Sequence, residues 1–279
     1  MSARAAVAAV VLGTLAGAVP VCGSAGESNA YSFAVVPQGP PERIRAIWLP
    51  IIERLSAEAR VPLRLQLYAT GDEFQADLLA GKLDFAYANP VQAIRAYRTV
   101  GYRPLVRNAT PLRGVFFVAA DSPYKTVESL AGREVAFIGP LTLCSQSLRA
   151  YTRELKVHPK YVGTAATAFK SVLLGLVAAG GVLDTNIAEA PVEVRARLRI
   201  IYETPPMAPH AMVAHPRIPA DVSGRLAAAL LEVARAEGAG LLTTVHLANP
   251  VEAAFGRDYA KLEQVIFGAP DAAPAGRAR

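Results

Sequence analysis

The sequence predicts an α/β protein of two domains or one large one, on three observations. Strand-like and helix-like stretches alternate through most of the chain. The length of 279 residues allows two domains or one large one, at roughly 100–200 residues per domain. A hydrophobic content of 52% suffices for packed cores and argues against global disorder.

The chain opens on a secretory pattern. Met1-Ser2-Ala3-Arg4 is a short positive start, Ala5–Val19 an apolar run, and Cys22-Gly23-Ser24-Ala25-Gly26 a stretch of small residues. Residues 1–25 are therefore expected to be a signal peptide, cleaved near Ala25 or Ala30. The run is too short for a transmembrane helix. Val21 stands where a lipoprotein anchor on Cys22 needs a small residue. No later segment reads as membrane-spanning, so the mature protein is expected to be soluble and exported. It then keeps Cys144 alone, with no internal disulfide.

The alternation begins with a strand at Tyr31–Val36, ended by Pro37-Gln38-Gly39-Pro40-Pro41. Ile44, Ile47, Trp48, Ile51 and Leu55 then recur at helical spacing, with Pro50 expected to kink that helix. Strands follow at Val61–Tyr68 and Leu83–Ala88, and helices at Asp72–Ala80 and Pro90–Tyr97, the latter with Pro at the favoured first position. Further strands are read at Gly114–Ala119, Glu134–Ile138, Gly181–Leu183, Arg199–Tyr202 and Ala211–Ala214. Helices are read at Thr126–Leu130 with a Thr cap, Ser145–Leu155 after a Gly139–Cys144 loop, Ala166–Leu174 and Ala220–Ala236. The tail 269–279, rich in Ala, Pro, Gly and Arg, is expected to be disordered. The alternation implies mainly parallel sheets, whose ligands sit beyond the carboxyl ends of strands. That directs attention to Pro37–Pro41, Tyr87–Pro90, Gly139–Ser145 and Asp184–Asn186.

A formal charge of +6 raises nucleic acid as a partner. The basic residues (Arg43, Arg45, Arg54, Arg60, Arg95, Arg98, Arg103, Arg107) fall singly among apolar ones, without blocks or aromatic interleaving. They read as a solvated surface whose mild positive field draws anions to a cleft. Gly-rich phosphate loops, HExxH and nucleophile elbows are all missing, so an enzyme is not expected. His158, His210, His215 and His246 show no ligand spacing and read as structural or surface residues.

Several segments, in order and spacing, carry a family likeness: Val36-Pro37-Gln38, Trp48-Leu49-Pro50, Ala80 to Pro90 (AGKLDFAYANP), Leu112-Arg113-Gly114-Val115, Ser129-Leu130-Ala131-Gly132, Tyr161-Val162-Gly163-Thr164, Tyr202-Glu203-Thr204-Pro205 and Ala214-His215-Pro216. In these the chain resembles the phosphate/phosphite/phosphonate family of periplasmic solute-binding proteins, from about Ser32 to Val265. The resemblance implies a two-lobed, type II Venus-flytrap fold with a ligand cleft between lobes and no cofactor. Lobe 1 is expected over 31–118 plus 207–268 and lobe 2 over 119–206. It further implies a periplasmic monomer that passes a small oxyanion to a membrane partner.

Two departures from the family pattern bear on the ligand. The family's Ser-Thr-Ser type loop reads Thr142-Leu143-Cys144-Ser145 here, and the His expected after Tyr-Val-Gly is absent from Gly163-Thr164-Ala165-Ala166. A thiol at a helix N-terminus has its pKa lowered, and thiolates select soft ligands. The chain thus also resembles the family's periplasmic arsenite sensors, which partner a membrane histidine kinase. On that reading Cys144 ligates arsenic(III), Thr142 and Ser145 assist, and Gln38, Tyr87 and Asn89 face them from the other lobe. Asp184 either orients a ligand hydroxyl or caps a helix. The alternative is a phosphate, phosphite or phosphonate carrier for an ABC permease, with Cys144 as core packing or a redox thiol.

Overall fold

The computed structural model describes residues 30–236 and 240–268. The expected signal peptide with Cys22, and the expected disordered tail, lie outside the described residues.

The first third of the chain runs β1 (Tyr31–Val35), α1 (Pro41–Ala59), β2 (Leu63–Gln66), α2 (Gly71–Leu79), β3 (Phe85–Ala88), α3 (Pro90–Val100) and β4 (Arg103–Asn108). The chain then crosses to β5 (Gly114–Ala119), β6 (Glu134–Phe137), α4 (Leu143–Tyr151), β7 (His158–Tyr161), α5 (Ala165–Leu173), β8 (Ala179–Leu183), α6 (Asp184–Glu189), α7 (Val192–Arg195) and β9 (Leu198–Glu203). It returns for β10 (Ala211–Ala214), α8 (Ala220–Ala236), α9 (Gly240–Thr243), β11 (Pro250–Glu252), α10 (Phe255–Asp258) and α11 (Ala260–Phe267).

Two sheets result, in the orders β11-β4-β10-β3-β1-β2 and β7-β6-β8-β5-β9. They are mixed rather than mainly parallel. β1 pairs parallel with β2 and β3, and β6 with β7 and β8. β10, β4 and β11 run antiparallel in the first sheet, as does β5 against both neighbours in the second. β5 and β10, the strands that open each crossing's far side, are both reversed against their neighbours, where no helical crossover enforces parallel pairing. β5 belongs to the second sheet, so the first crossing lies before Gly114 and not after Val118.

Local chemistry accounts for the helix starts. Thr70 Oγ1 accepts from Glu73 N (3.2 Å) while Glu73 accepts from Thr70 N (3.3 Å), a reciprocal cap on α2. Pro90 opens α3, and α1 runs unbroken through Pro50 while burying Ile44, Trp48, Ile51 and Leu55. The short helix expected at Thr126 is a single 3-10 turn, Glu128–Leu130, with no side-chain cap. Apolar faces meet in one core around Phe33, Phe74 and Phe85 and in two smaller clusters flanking the second sheet. Each such fully buried side chain contributes roughly 1.5–3 kcal/mol over leaving it exposed. Gly180 and Gly181 in β8 are required by space: an added Cβ would lie 2.1 Å from Phe117 Cζ and 2.3 Å from Phe137 Cε1, respectively.

The two crossings lie side by side. Leu112 and Met207 exchange backbone hydrogen bonds (2.9 and 2.8 Å), and Thr204 Oγ1 accepts from Gly114 N (3.0 Å). A third link is α11, which packs on α4 of the second lobe. Arg153 donates to Val265 O (2.6 Å), and Arg98 of α3 pairs with Glu263 (3.4 Å).

Candidate functional site

The parallel strands β1 and β3 end together, with Val36 N donating to Tyr87 O (3.0 Å). The chain leaves this edge in two turns carrying Gln38 and Asn89. Asn89 Oδ1 accepts from Gln92 N (3.0 Å) to cap α3, and Asn89 Nδ2 donates to Leu141 O of the second lobe (3.1 Å). Tyr87 is 2% exposed; its ring packs on Trp48 (4.8 Å between centroids) and its hydroxyl donates to Val245 O (2.9 Å). Burial pushes its pKa up. Its hydroxyl is thus already engaged within the first lobe.

His210 joins this edge. It precedes β10, which lies antiparallel to β3 with Ala211 opposite Ala88, so it stands at the edge where β1 and β3 finish. The ring stacks on Tyr87 (5.4 Å, 22°), and His210 Nε2 lies 3.1 Å from Nε2 of the exposed Gln38. Burial, with a smaller push from His246, brings its pKa down to about 4. Sequence reasoning set His210 aside because no histidine spacing marks it. Its signal was its place just ahead of the Ala211–Ala214 strand.

The facing wall is the start of α4. The helix begins at Leu143, not Ser145, so Cys144 sits within its first turn. Thr142 precedes the helix without capping it; its Oγ1 donates to Gly139 O (2.8 Å) and lies 3.3 Å from Cys144 Sγ. Cys144 is 1% exposed in a cluster with Phe116, Val135, Phe137 and Leu148. Burial pushes its thiol pKa up, outweighing the contacts with Thr142 and nearby backbone that lower it. The expected activation by the helix N-terminus is therefore reversed, and this arrangement gives arsenic(III) no exposed thiolate. Among the described residues, no group of three or more His, Cys, Asp or Glu could hold a metal ion.

Ser145 is 0% exposed, and its Oγ has no hydrogen-bond partner among the described residues. Gln146 Nε2 is likewise unpartnered, while its Oε1 accepts from Arg95 of α3 (3.4 Å). Asp184 is the first residue of α6, half-buried, and accepts from Thr185 N (2.9 Å), while the helix start is tied by Asn186 Oδ1, which accepts from Leu183 N (3.1 Å). The lobes thus meet directly at Asn89–Leu141 and Arg95–Gln146, and Leu143 packs into the first lobe's core. Two cavities lie elsewhere. One of about 530 Å³, by Tyr31, Arg60 and Asp84, opens at the opposite end of the first sheet. The other, about 340 Å³ and lined by Phe169, Leu173 and Val194, runs between α5 and α7.

Residues 33–259 match the family model described as ABC transporter, phosphonate, periplasmic substrate-binding protein. No curated protein matches the chain. Among solved structures, a Xanthomonas citri protein bound to ATP aligns at TM-score 0.72 and 15% identity, over 86% of this chain and 97% of its own. A Prochlorococcus marinus protein in complex with methylphosphonate aligns at TM-score 0.69 and 13% identity, over 85% of this chain and 97% of its own. A binding protein component of an ABC phosphonate transporter from Pseudomonas aeruginosa aligns at TM-score 0.67 and 11% identity, over 85% of both chains. At these identities the structural likeness speaks to fold: a two-lobed, type II periplasmic binding protein.

Proposed function

Since the chain belongs to the family of periplasmic substrate-binding proteins of phosphonate ABC transporters, we propose that it captures a small phosphorus oxyanion between its lobes and delivers it to a membrane permease. The family is one of binding proteins and not of enzymes. The observation that carries the reading is Ser145: a fully buried hydroxyl, without a partner among the described residues, in the first turn of a helix at the cleft. First-turn N–H groups of a helix have no intrahelical acceptor and lie at the positive end of its dipole. An oxyanion there satisfies both the amides and the hydroxyl.

On this reading Thr142 and Ser145 bind from the second lobe, and Gln38 and Asn89 from the first. Asn89 already spans the lobes through Leu141. A ligand that touches both walls favours the closed form by its differential affinity, and the permease reads that closure. Cys144 acts as packing. The partner is proposed to be a permease and not a histidine kinase, because the family is one of transporter components.

Calorimetric titration with methylphosphonate, phosphate, phosphite and arsenite tests this. Binding of a phosphorus oxyanion that survives Cys144→Ala supports it. Arsenite binding that disappears in Cys144→Ala, with no phosphorus oxyanion bound, overturns it.

A further inference from the structure

We infer that His210 is a ligand-contacting residue of the cleft, paired with Gln38, and that its ring takes up a proton when the oxyanion binds. The inference rests on the oxyanion reading above and extends it to how the first lobe supplies charge.

Position comes first. His210 and Gln38 lie far apart in sequence yet meet at 3.1 Å, at the strand-end edge from which Asn89 reaches Leu141 O of the second lobe. The ring is held by stacking on Tyr87, itself packed on Trp48. That fixes its plane before any ligand arrives.

The pair's chemistry follows. An amide nitrogen only donates, so Gln38 Nε2 donates to His210 Nε2, and the ring's proton resides on Nδ1. The groups facing the ring are Tyr87 from β3, Gln38 from the loop after β1, and His246 from the segment between α9 and β11. Tyr259 stands next to it, with its hydroxyl donating to Pro209 O (3.1 Å). Among the described residues no carboxylate pairs with His210, so nothing there offsets a positive ring. Burial accordingly holds it neutral, with a pKa of about 4.

An oxyanion supplies the missing counter-charge. It accepts the Gln38 amide proton, which frees His210 Nε2. That nitrogen binds a proton from solvent and becomes a charge-assisted donor to the ligand. The sign follows from linkage: the complex binds more protons than the free protein, so affinity rises as pH falls, by up to tenfold per pH unit between the raised pKa and about 4.

The test is calorimetry of the purified protein with methylphosphonate from pH 5.5 to 8, in two buffers of different ionisation enthalpy, beside His210→Gln and Gln38→Ala. Subtracting His210→Gln from wild type removes the ligand's own titration. Wild type is expected to take up the larger proton fraction and to bind about tenfold more tightly at pH 5.5, with the gap closing by pH 8. Gln38→Ala should bind a few-fold more weakly throughout. Identical affinities and proton uptake in wild type and His210→Gln overturn the role of His210 and leave the oxyanion reading standing. No binding of methylphosphonate, phosphate or phosphite by wild type overturns that reading itself. If His210→Gln does not fold, the ring nitrogen shifts of wild-type His210 decide: protonation of Nε2 on saturation supports the inference, and an unchanged neutral ring sinks it.

Discussion

Cys144 and Ser145 share one helical turn and differ in what their burial costs. The thiol lies among Phe116, Phe137 and Leu148, where sulfur packs well. Cys144→Ala should cost about 1 kcal/mol, as for removal of one buried group, read from the urea midpoint, with oxyanion affinity within twofold. The folded thiol should resist alkylation until denaturant is added. Ser145 Oγ carries the penalty of a buried, unpartnered hydroxyl, worth roughly 1–3 kcal/mol. Ser145→Ala should therefore match or exceed wild type in melting temperature while binding the ligand about tenfold more weakly. An unchanged affinity would remove Ser145 from the site. His210 sets an acid sensitivity. Its folded pKa of about 4 lies below the ordinary 6.5, so the unfolded chain binds the extra proton in that interval. The stability this confers is complete above 6.5 and lost as pH falls toward 4. A melting-temperature profile of His210→Gln should be flatter over that window.

At the scale of elements, α3 and α4 meet near their starts, where Asn89 bonds Leu141 O. Asn89→Ala removes both a cap and the bond to Leu141 O. It should lower stability by about 1 kcal/mol and weaken ligand binding as well; a loss of stability alone would confine Asn89 to capping. Gly181→Ala should cost roughly 1–3 kcal/mol by overpacking against Phe137. Apolar runs such as Gly114–Ala119 and Glu134–Phe137 were legible in the sequence because burial on both faces leaves a continuous signature. β4 (RPLVRN) and β7 (HPKY) were not, since prolines and charges obscure them; β7 is an exposed edge strand formed by pairing alone. The start of α4 was placed two residues late because Leu143 and Cys144 carry no cap signal of their own. The loops bearing Gln38, Asn89 and Thr142 could be read from strand ends. His210 was marked only by its place ahead of the Ala211–Ala214 strand, and it reaches these loops because β10 inserts antiparallel to β3.

For the whole molecule, the proposed function makes closure the coordinate that matters. Contacts from Asn89 to Leu141 and Arg95 to Gln146, with α11 against α4, hold the lobes together. A ligand at a hundred times its Kd should add about 2.7 kcal/mol to stability, seen as a rise in melting temperature. Small-angle scattering should show a radius of gyration no larger with ligand than without.

The place of β10 has a consequence for how the protein is made. β10 lies between β3 and β4, yet it follows the whole second sheet in sequence. While the chain is being synthesised, the strands of the first lobe therefore wait with a gap at their centre. The second sheet is contiguous from Gly114 to Glu203 and has all its strands beforehand. The second lobe is thus expected to become protease-resistant first during refolding. The first lobe, and with it the His210 face of the cleft, forms only when the late strand is threaded into place.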